Sequence, residues 1–117
     1  MDNTEDLEEF KSSRASCPAR RVDPPCFESL EREGDFYIIG DALHIWLPGL
    51  SKFVGLARVP VQGPNAWNWD GNVDRPTLSP SIKLSKKKQE NPDDPPEKWR
   101  EIELWHGHLK AGQLESC

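Results

Sequence analysis

Apolar and polar residues alternate along much of the chain from residue 35 onward, which predicts β structure. Two runs rich in aromatic and β-branched residues, 35–39 and 42–47, flank Gly40-Asp41, a dipeptide typical of a tight hairpin turn. Further strands are predicted over 53–61, 81–84 and 99–105, and a last hairpin over 106–115. Six or seven short strands predict a mainly β fold, with a small twisted antiparallel sheet closing toward a sandwich or open barrel.

The beginning of the chain and one internal stretch depart from this pattern. Residues 2–13 have a helical spacing of apolar positions, and a further short helix is predicted just after Pro25. We therefore predict an irregular arm with one or two short helices over residues 1–33, followed by a β domain over 34–117. Residues 85–98 are rich in Lys and then in Asp and Pro, which predicts a surface loop.

Composition narrows the partners and the compartment. The chain has 117 residues, enough for one core, and a net charge of −5, which disfavours binding along a nucleic-acid backbone. The three Cys form no Cys-x-x-Cys pair and no export signal is visible, so a reducing cytoplasm, that of a host cell, is predicted. No apolar stretch is long enough for a membrane span, so no membrane partner is expected. The oligomeric state is left open.

The segment 67–81 contains the main candidate binding residues. Trp67 and Trp69 share one face of a strand and could stack on a ligand or on a partner protein. Arg75 could bind a phosphate through two hydrogen bonds, with hydroxyl groups nearby as donors. The alternative is that both Trp pack in the core with Arg75 on one ring. The candidate binding set is Trp67, Trp69, Asp70, Arg75, Thr77, Ser79 and Ser81.

The histidines are weak candidates for a metal site. His106 and His108 would face the same side of a strand, and a third ligand would have to come from His44, Glu115 or Cys117. Two partly exposed, hydrogen-bonded histidines are the simpler interpretation, so no metal and no cofactor are predicted. Cys17 and Cys26 lack further ligands at a zinc spacing. Neither a Gly-x-Ser-x-Gly motif nor a convincing Cys/His pair was found, which favours a protein that is not an enzyme.

The central block also resembles a known family. Trp67-Asn68-Trp69-Asp70-Gly71, then Pro76-Thr77-Leu78-Ser79-Pro80-Ser81-Ile82, is similar to the pattern of small phage and prophage proteins of unknown function that are often mislabelled as ammonia monooxygenase. The resemblance covers residues 41–117 only and implies a phage or mobile-element origin. Many members of that family have a Cys-Pro-x-Cys motif before the central block, and the family pattern also has a late Cys-His segment, whose His corresponds to His106. This chain has Leu47-Pro48-Gly49-Leu50 in place of the Cys-Pro-x-Cys motif and Trp105 in place of the late Cys. A metal site built on those thiols would therefore be lost.

These observations lead to a functional hypothesis with two alternatives. The hypothesis is a small phage-type accessory protein that inhibits a host defence component, such as a CRISPR or nucleotide-signalling system, by non-catalytic binding. Its partner would be a host protein, with a nucleic-acid-binding defence complex as one candidate and a nucleotide as a possible ligand. The alternatives are a protein that sequesters a nucleotide signal, and a metal-dependent enzyme that uses His44, His106 and His108.

Overall fold

The computed structural model describes residues 12–117, and nearly all of the helix predicted over 2–13 lies outside this range. Within the described residues the chain forms nine strands: β1 (Cys17–Pro18), β2 (Arg20–Arg21), β3 (Asp35–Ile39), β4 (Ala42–Trp46), β5 (Leu56–Pro60), β6 (Asn68–Trp69), β7 (Leu78–Lys88), β8 (Arg100–Lys110) and β9 (Gln113–Ser116). The described residues also contain two single turns of 3-10 helix, Phe27–Ser29 and Pro96–Lys98. No helix within residues 12–117 is long and apolar enough to cross a membrane.

The strands form two sheets that share one core. The five-stranded sheet has the order β1-β9-β8-β7-β6 and the four-stranded sheet the order β2-β3-β4-β5. All neighbouring pairs are antiparallel except β2 and β3. Buried residues of both sheets, among them Phe36, Ile45, Ile82 and Leu109, belong to one apolar cluster. The prediction of a mainly β fold is confirmed.

Residues 17–21 tie the beginning of the described chain to both sheets. β1 pairs with β9 in one sheet, and β2, only two residues later, pairs with β3 in the other. The sequence placed these residues in an irregular arm, because strands of two residues are too short to show alternation.

A buried carboxylate anchors this connection. The Asp35 side chain is fully buried and accepts two hydrogen bonds from Arg20, at 2.9 and 2.8 Å. It also accepts the backbone N–H groups of Glu31 and Arg32, at 2.8 and 3.0 Å. Burial by itself would raise the pKa of Asp35, but these four hydrogen bonds outweigh burial and hold the pKa below its ordinary value.

The lysine-rich stretch is a strand rather than a loop. β7 continues to Lys88, and its last residues pair with β8, with Lys87 opposite Glu101 and Lys88 opposite Arg100. The predicted loop over 85–98 is therefore wrong for its first four residues. Polar residues on both faces hid this part of the strand, because it extends past the apolar core and only cross-strand pairing supports it.

Candidate active site

The side chains of Ser81 and His106 meet on neighbouring strands of the five-stranded sheet. The Ser81 Oγ lies 2.9 Å from the His106 Nε2, although the two residues are 25 positions apart. β7 pairs with β8 so that Lys83 is opposite His106 and Ile82 is opposite Gly107. A serine hydroxyl within hydrogen-bond reach of an imidazole is the arrangement in which histidine activates a nucleophile. Both residues are half-buried, so the pair is held by its neighbours and still accessible.

An irregularity in β7 sets the position of Ser81. The regular pairing stops after Leu78 opposite Leu109 and resumes at Ile82 opposite Gly107. Residues 79–81 of β7 therefore face a single residue of β8, His108. Extra residues of this kind bend a strand and redirect a side chain, and they are frequent beside active sites. Pro80 suits this position because it has no N–H to contribute to the ladder.

An indole holds the backbone of the serine. The Trp67 Nε1–H donates a hydrogen bond of 2.9 Å to the carbonyl oxygen of Ser81. The Trp67 ring is half-buried and packs against the core. Ser81 lies outside the regular pairing of β7 with β8. The side chain of Trp67, from the segment before β6, therefore holds its backbone in place.

Replacing Trp67 with phenylalanine should lower the reactivity of the Ser81 hydroxyl. Phe retains most of the packing but cannot donate to the Ser81 carbonyl, so the hydroxyl is less well positioned toward His106. We expect the rate at which a small phosphonylating reagent modifies Ser81 to fall about tenfold. Trp69→Phe is the matched control because the Trp69 indole donates to Asn72 O rather than to Ser81 O. An equal loss of reactivity in both variants would show that the Trp67 hydrogen bond has no special role.

The position of His106 is set by β8, the strand to which it belongs. The carbonyl oxygen of His106 accepts the N–H of Cys117 at 2.9 Å. A Cβ at Gly107 would come within 2.4 Å of the Trp105 ring and 2.2 Å of the Glu115 carbonyl oxygen, so this position requires glycine. Trp105 is buried beneath it and donates to Ala15 O at 2.9 Å.

The structure also leaves space beside the histidine. A cavity of about 210 Å³ lies on the side of β8 away from β7. Its lining includes His106, Arg14, Glu103 and Ser116. His106 therefore borders this cavity, whereas Ser81 is not part of its lining.

The remaining residues of the candidate binding set mostly stabilise the loop that leads into β7. The Asp70 carboxylate accepts the N–H groups of Asn72 and Thr77, at 3.0 and 3.2 Å. Thr77 Oγ1 accepts the N–H of Ala111 at 2.8 Å, and Arg75 packs against Gly112. Trp69 is half-buried against the core, and Ser79 is exposed. A nucleotide ligand for this set stays a prediction.

The three histidines do not converge. His44 lies in the four-stranded sheet, stacked on Tyr37 with ring centroids 4.9 Å apart. Burial and the nearby Arg58 lower the pKa of His44. His108 is exposed opposite Glu115. Within residues 12–117 no group of three or more His, Cys, Asp or Glu side chains could hold a metal ion.

Both members of the pair were predicted site residues, but in unrelated roles. Ser81 was one hydroxyl in a binding loop, and His106 was half of a weak metal site. No local motif links them, since the contact depends on the β7–β8 pairing and on the irregularity before Ile82. A signal was present, however, because the Pro-Ser-Ile and His residues both belonged to the pattern used for the family resemblance.

Comparison with known proteins identifies a different family from the one expected. A family model described as "BubE: Bacterial ubiquitination-like system serine protease (BubE)" matches residues 22–117. No curated protein and no solved structure matches the chain. The assignment to phage proteins mislabelled as ammonia monooxygenase is therefore wrong, although the block on which it rested surrounds Ser81.

The functional predictions change with the family. A family named for a serine protease contradicts the expectation of a protein that is not an enzyme. It equally contradicts the phage-type inhibitor of host defence, the nucleotide-sequestering alternative and the metal-dependent alternative. The absence of a Gly-x-Ser-x-Gly motif was misleading because nucleophile and base can meet through tertiary structure alone. Since the match spans 22–117 of its 117 residues, the chain belongs to the family of bacterial ubiquitination-like system serine proteases, BubE.

Proposed function

We propose that this protein is a serine peptidase of a bacterial ubiquitination-like system, with Ser81 as nucleophile and His106 as general base. The observation that carries the proposal is the 2.9 Å separation of Ser81 Oγ and His106 Nε2. The family membership supports the same chemistry independently of the geometry.

The arrangement suits acyl transfer in two steps. Ser81 Oγ attacks the carbonyl carbon of the scissile peptide bond while His106 Nε2 accepts the hydroxyl proton. As the tetrahedral intermediate collapses, the C–N bond breaks, and His106 gives that proton to the departing amine. Water then attacks the acyl-enzyme with His106 again as base. As the acyl C–O bond to Ser81 breaks, His106 passes the proton taken from water to Ser81 Oγ, and the product leaves as a carboxylic acid that ionises in solution.

The position of the pair favours a polypeptide substrate over a small molecule. Ile82 and Gly107 are buried, so by alternation their neighbours Ser81 and His106 lie on the solvent-facing side of the sheet. Such a face admits an extended segment of another protein. The three cysteines are free, which is consistent with the cytoplasmic location that we include in the proposal.

Labelling with a fluorophosphonate tests the proposal directly. This reagent phosphonylates an activated serine and expels fluoride, so we expect one adduct on the peptide containing Ser81, located by tandem mass spectrometry. His106→Gln should slow labelling at least about 100-fold, because base assistance contributes about 10²–10⁴-fold.

The matched control for this experiment is His108→Gln, which changes the histidine two positions along the same strand and should label like the wild type. Absence of an adduct on the folded protein, or an adduct on another serine, would overturn the assignment of Ser81.

A further inference from the structure

One edge of β7 is open beside the nucleophile. β6 pairs only with Leu78 and Ser79 of β7, whereas β8 covers the other edge of β7 as far as Lys88. Within residues 12–117 no strand lies on the β6 side of Ile82–Lys88. The backbone N–H and C=O groups on that side can therefore pair with an added strand.

The open edge begins at the reacting residue. The Trp67 indole occupies the carbonyl oxygen of Ser81, which separates β6 from the free part of the strand. Beyond this point, Ile82–Lys88 provides an edge about 23 Å long at about 3.3 Å per residue. A peptide of six or seven residues laid along it would end next to Ser81.

The charge of this edge indicates the kind of peptide. It carries Lys83, Lys86, Lys87 and Lys88 and no acidic residue. Lys83 Nζ contacts Glu101 at 3.6 Å and Glu103 at 3.9 Å, whereas the other three lysines have no ion-pair partner within residues 12–117. This basic edge stands on a chain of net charge −5, so it is a local feature rather than a property of the whole surface.

Lysines on an edge strand also deter pairing between copies of a protein. That effect is compatible with binding, because the same charges repel another basic edge and attract an acidic peptide. Selectivity for an acidic segment is thus combined with protection against aggregation.

From these observations we propose that the free edge Ile82–Lys88 binds an acidic, extended segment of the protein substrate as an added antiparallel strand. The inference rests on the proposed function, since it places the scissile bond at Ser81. Antiparallel pairing is the somewhat more stable arrangement, and every pair in this sheet is antiparallel. An antiparallel chain runs from Lys88 toward Ser81, so the acidic residues precede the scissile bond.

A random peptide library digested by the full-length protein tests the inference. Cleaved bonds are identified by mass spectrometry, and residues on both sides are scored for charge. We expect Asp and Glu to be enriched at least about fivefold at positions two to six before the cleaved bond. Exchanging Lys86, Lys87 and Lys88 for Glu should reverse this preference toward Lys and Arg. Lys52→Glu, in the other half of the chain, is the control and should retain the acidic preference.

The backbone component is measured separately. In a cleaved acidic peptide, N-methylation of an amide that bonds to the edge should lower kcat/KM about tenfold, the effect of one lost hydrogen bond. Methylation should be harmful at every second position only, because alternate amides of a strand face the same neighbour.

Fluorophosphonate labelling distinguishes failure of this inference from failure of the proposed function. The small reagent does not use the edge, so the triple lysine variant should label normally. Intact labelling with no charge preference and no effect of N-methylation would overturn the edge proposal alone. Enrichment of acidic residues after the cleaved bond would overturn the antiparallel orientation, and loss of Ser81 labelling in the wild type would overturn the proposed function itself.

Discussion

Replacing Ser81 with alanine should reduce peptide hydrolysis by at least about 10⁴-fold, the loss expected when the nucleophile of a serine peptidase is removed. His106→Gln should cause a similar loss. The double variant should be no worse than either single one, because the two side chains act on one proton transfer and their effects do not add. The measurement is kcat/KM on a cleaved peptide, with the melting temperature recorded for each variant.

The control for stability and handling is Ser29→Ala, which removes a hydroxyl from the 3-10 turn Phe27–Ser29 and should retain full activity. Ser81 is half-buried and small, so Ser81→Ala should melt close to the wild type. Substantial hydrolysis by folded Ser81→Ala would contradict the mechanism. Additive losses in the double variant would show that the two residues do not act as a unit.

Replacing Asp35 with alanine should have the largest effect on stability, about 3–5 kcal/mol of unfolding free energy. The change leaves the Arg20 guanidinium without its main partner and removes the acceptor for two backbone N–H groups. Urea denaturation measures the difference. Asp41→Ala is the control, since the Asp41–Arg58 pair is exposed at 3.3 Å and such pairs contribute about 0–1 kcal/mol.

The Asp35 carboxylate should make the free energy of unfolding depend on pH. Because the pKa of Asp35 is lower in the folded protein than in the unfolded chain, the unfolded chain binds the proton more readily as pH falls. The contribution is complete above the ordinary carboxyl pKa of about 3.9 and is lost as pH falls through the folded-state value. The difference in unfolding free energy between the wild type and Asp35→Ala should therefore become smaller below about pH 4. The same difference at pH 7 and at pH 3 would contradict a lowered pKa of Asp35 in the folded protein.

The secondary structure was predictable where burial imposes a pattern. The hairpin of β3 and β4 follows from its two apolar runs and from Gly40, which adopts a positive φ of 57° at the turn. The last hairpin, predicted over 106–115, turns at Ala111-Gly112, with φ values of 47° and 79°. The outer half of β7 was missed because its side chains are mostly solvated and carry no apolar period.

The candidate site was predictable in its members but not in its arrangement. The sequence drew attention to Trp67, Ser81 and His106 as polar or aromatic residues in turn-rich or strand-end positions. It also suggested that His44 could join a site with His106, whereas these residues lie in different sheets. Side-chain chemistry alone cannot rank such combinations, because proximity depends on which strands become neighbours.

By itself, the sequence determined the local features of this protein: alternation that requires one buried face, glycines that permit its turns, and an acidic chain with one basic run. These follow from interactions within a few residues. Only the tertiary structure decided that the basic run forms an open edge and that Ser81 meets His106. Both results depend on strand order and on the register shift before Ile82. Register is set by the combined packing of both sheets rather than by any single segment.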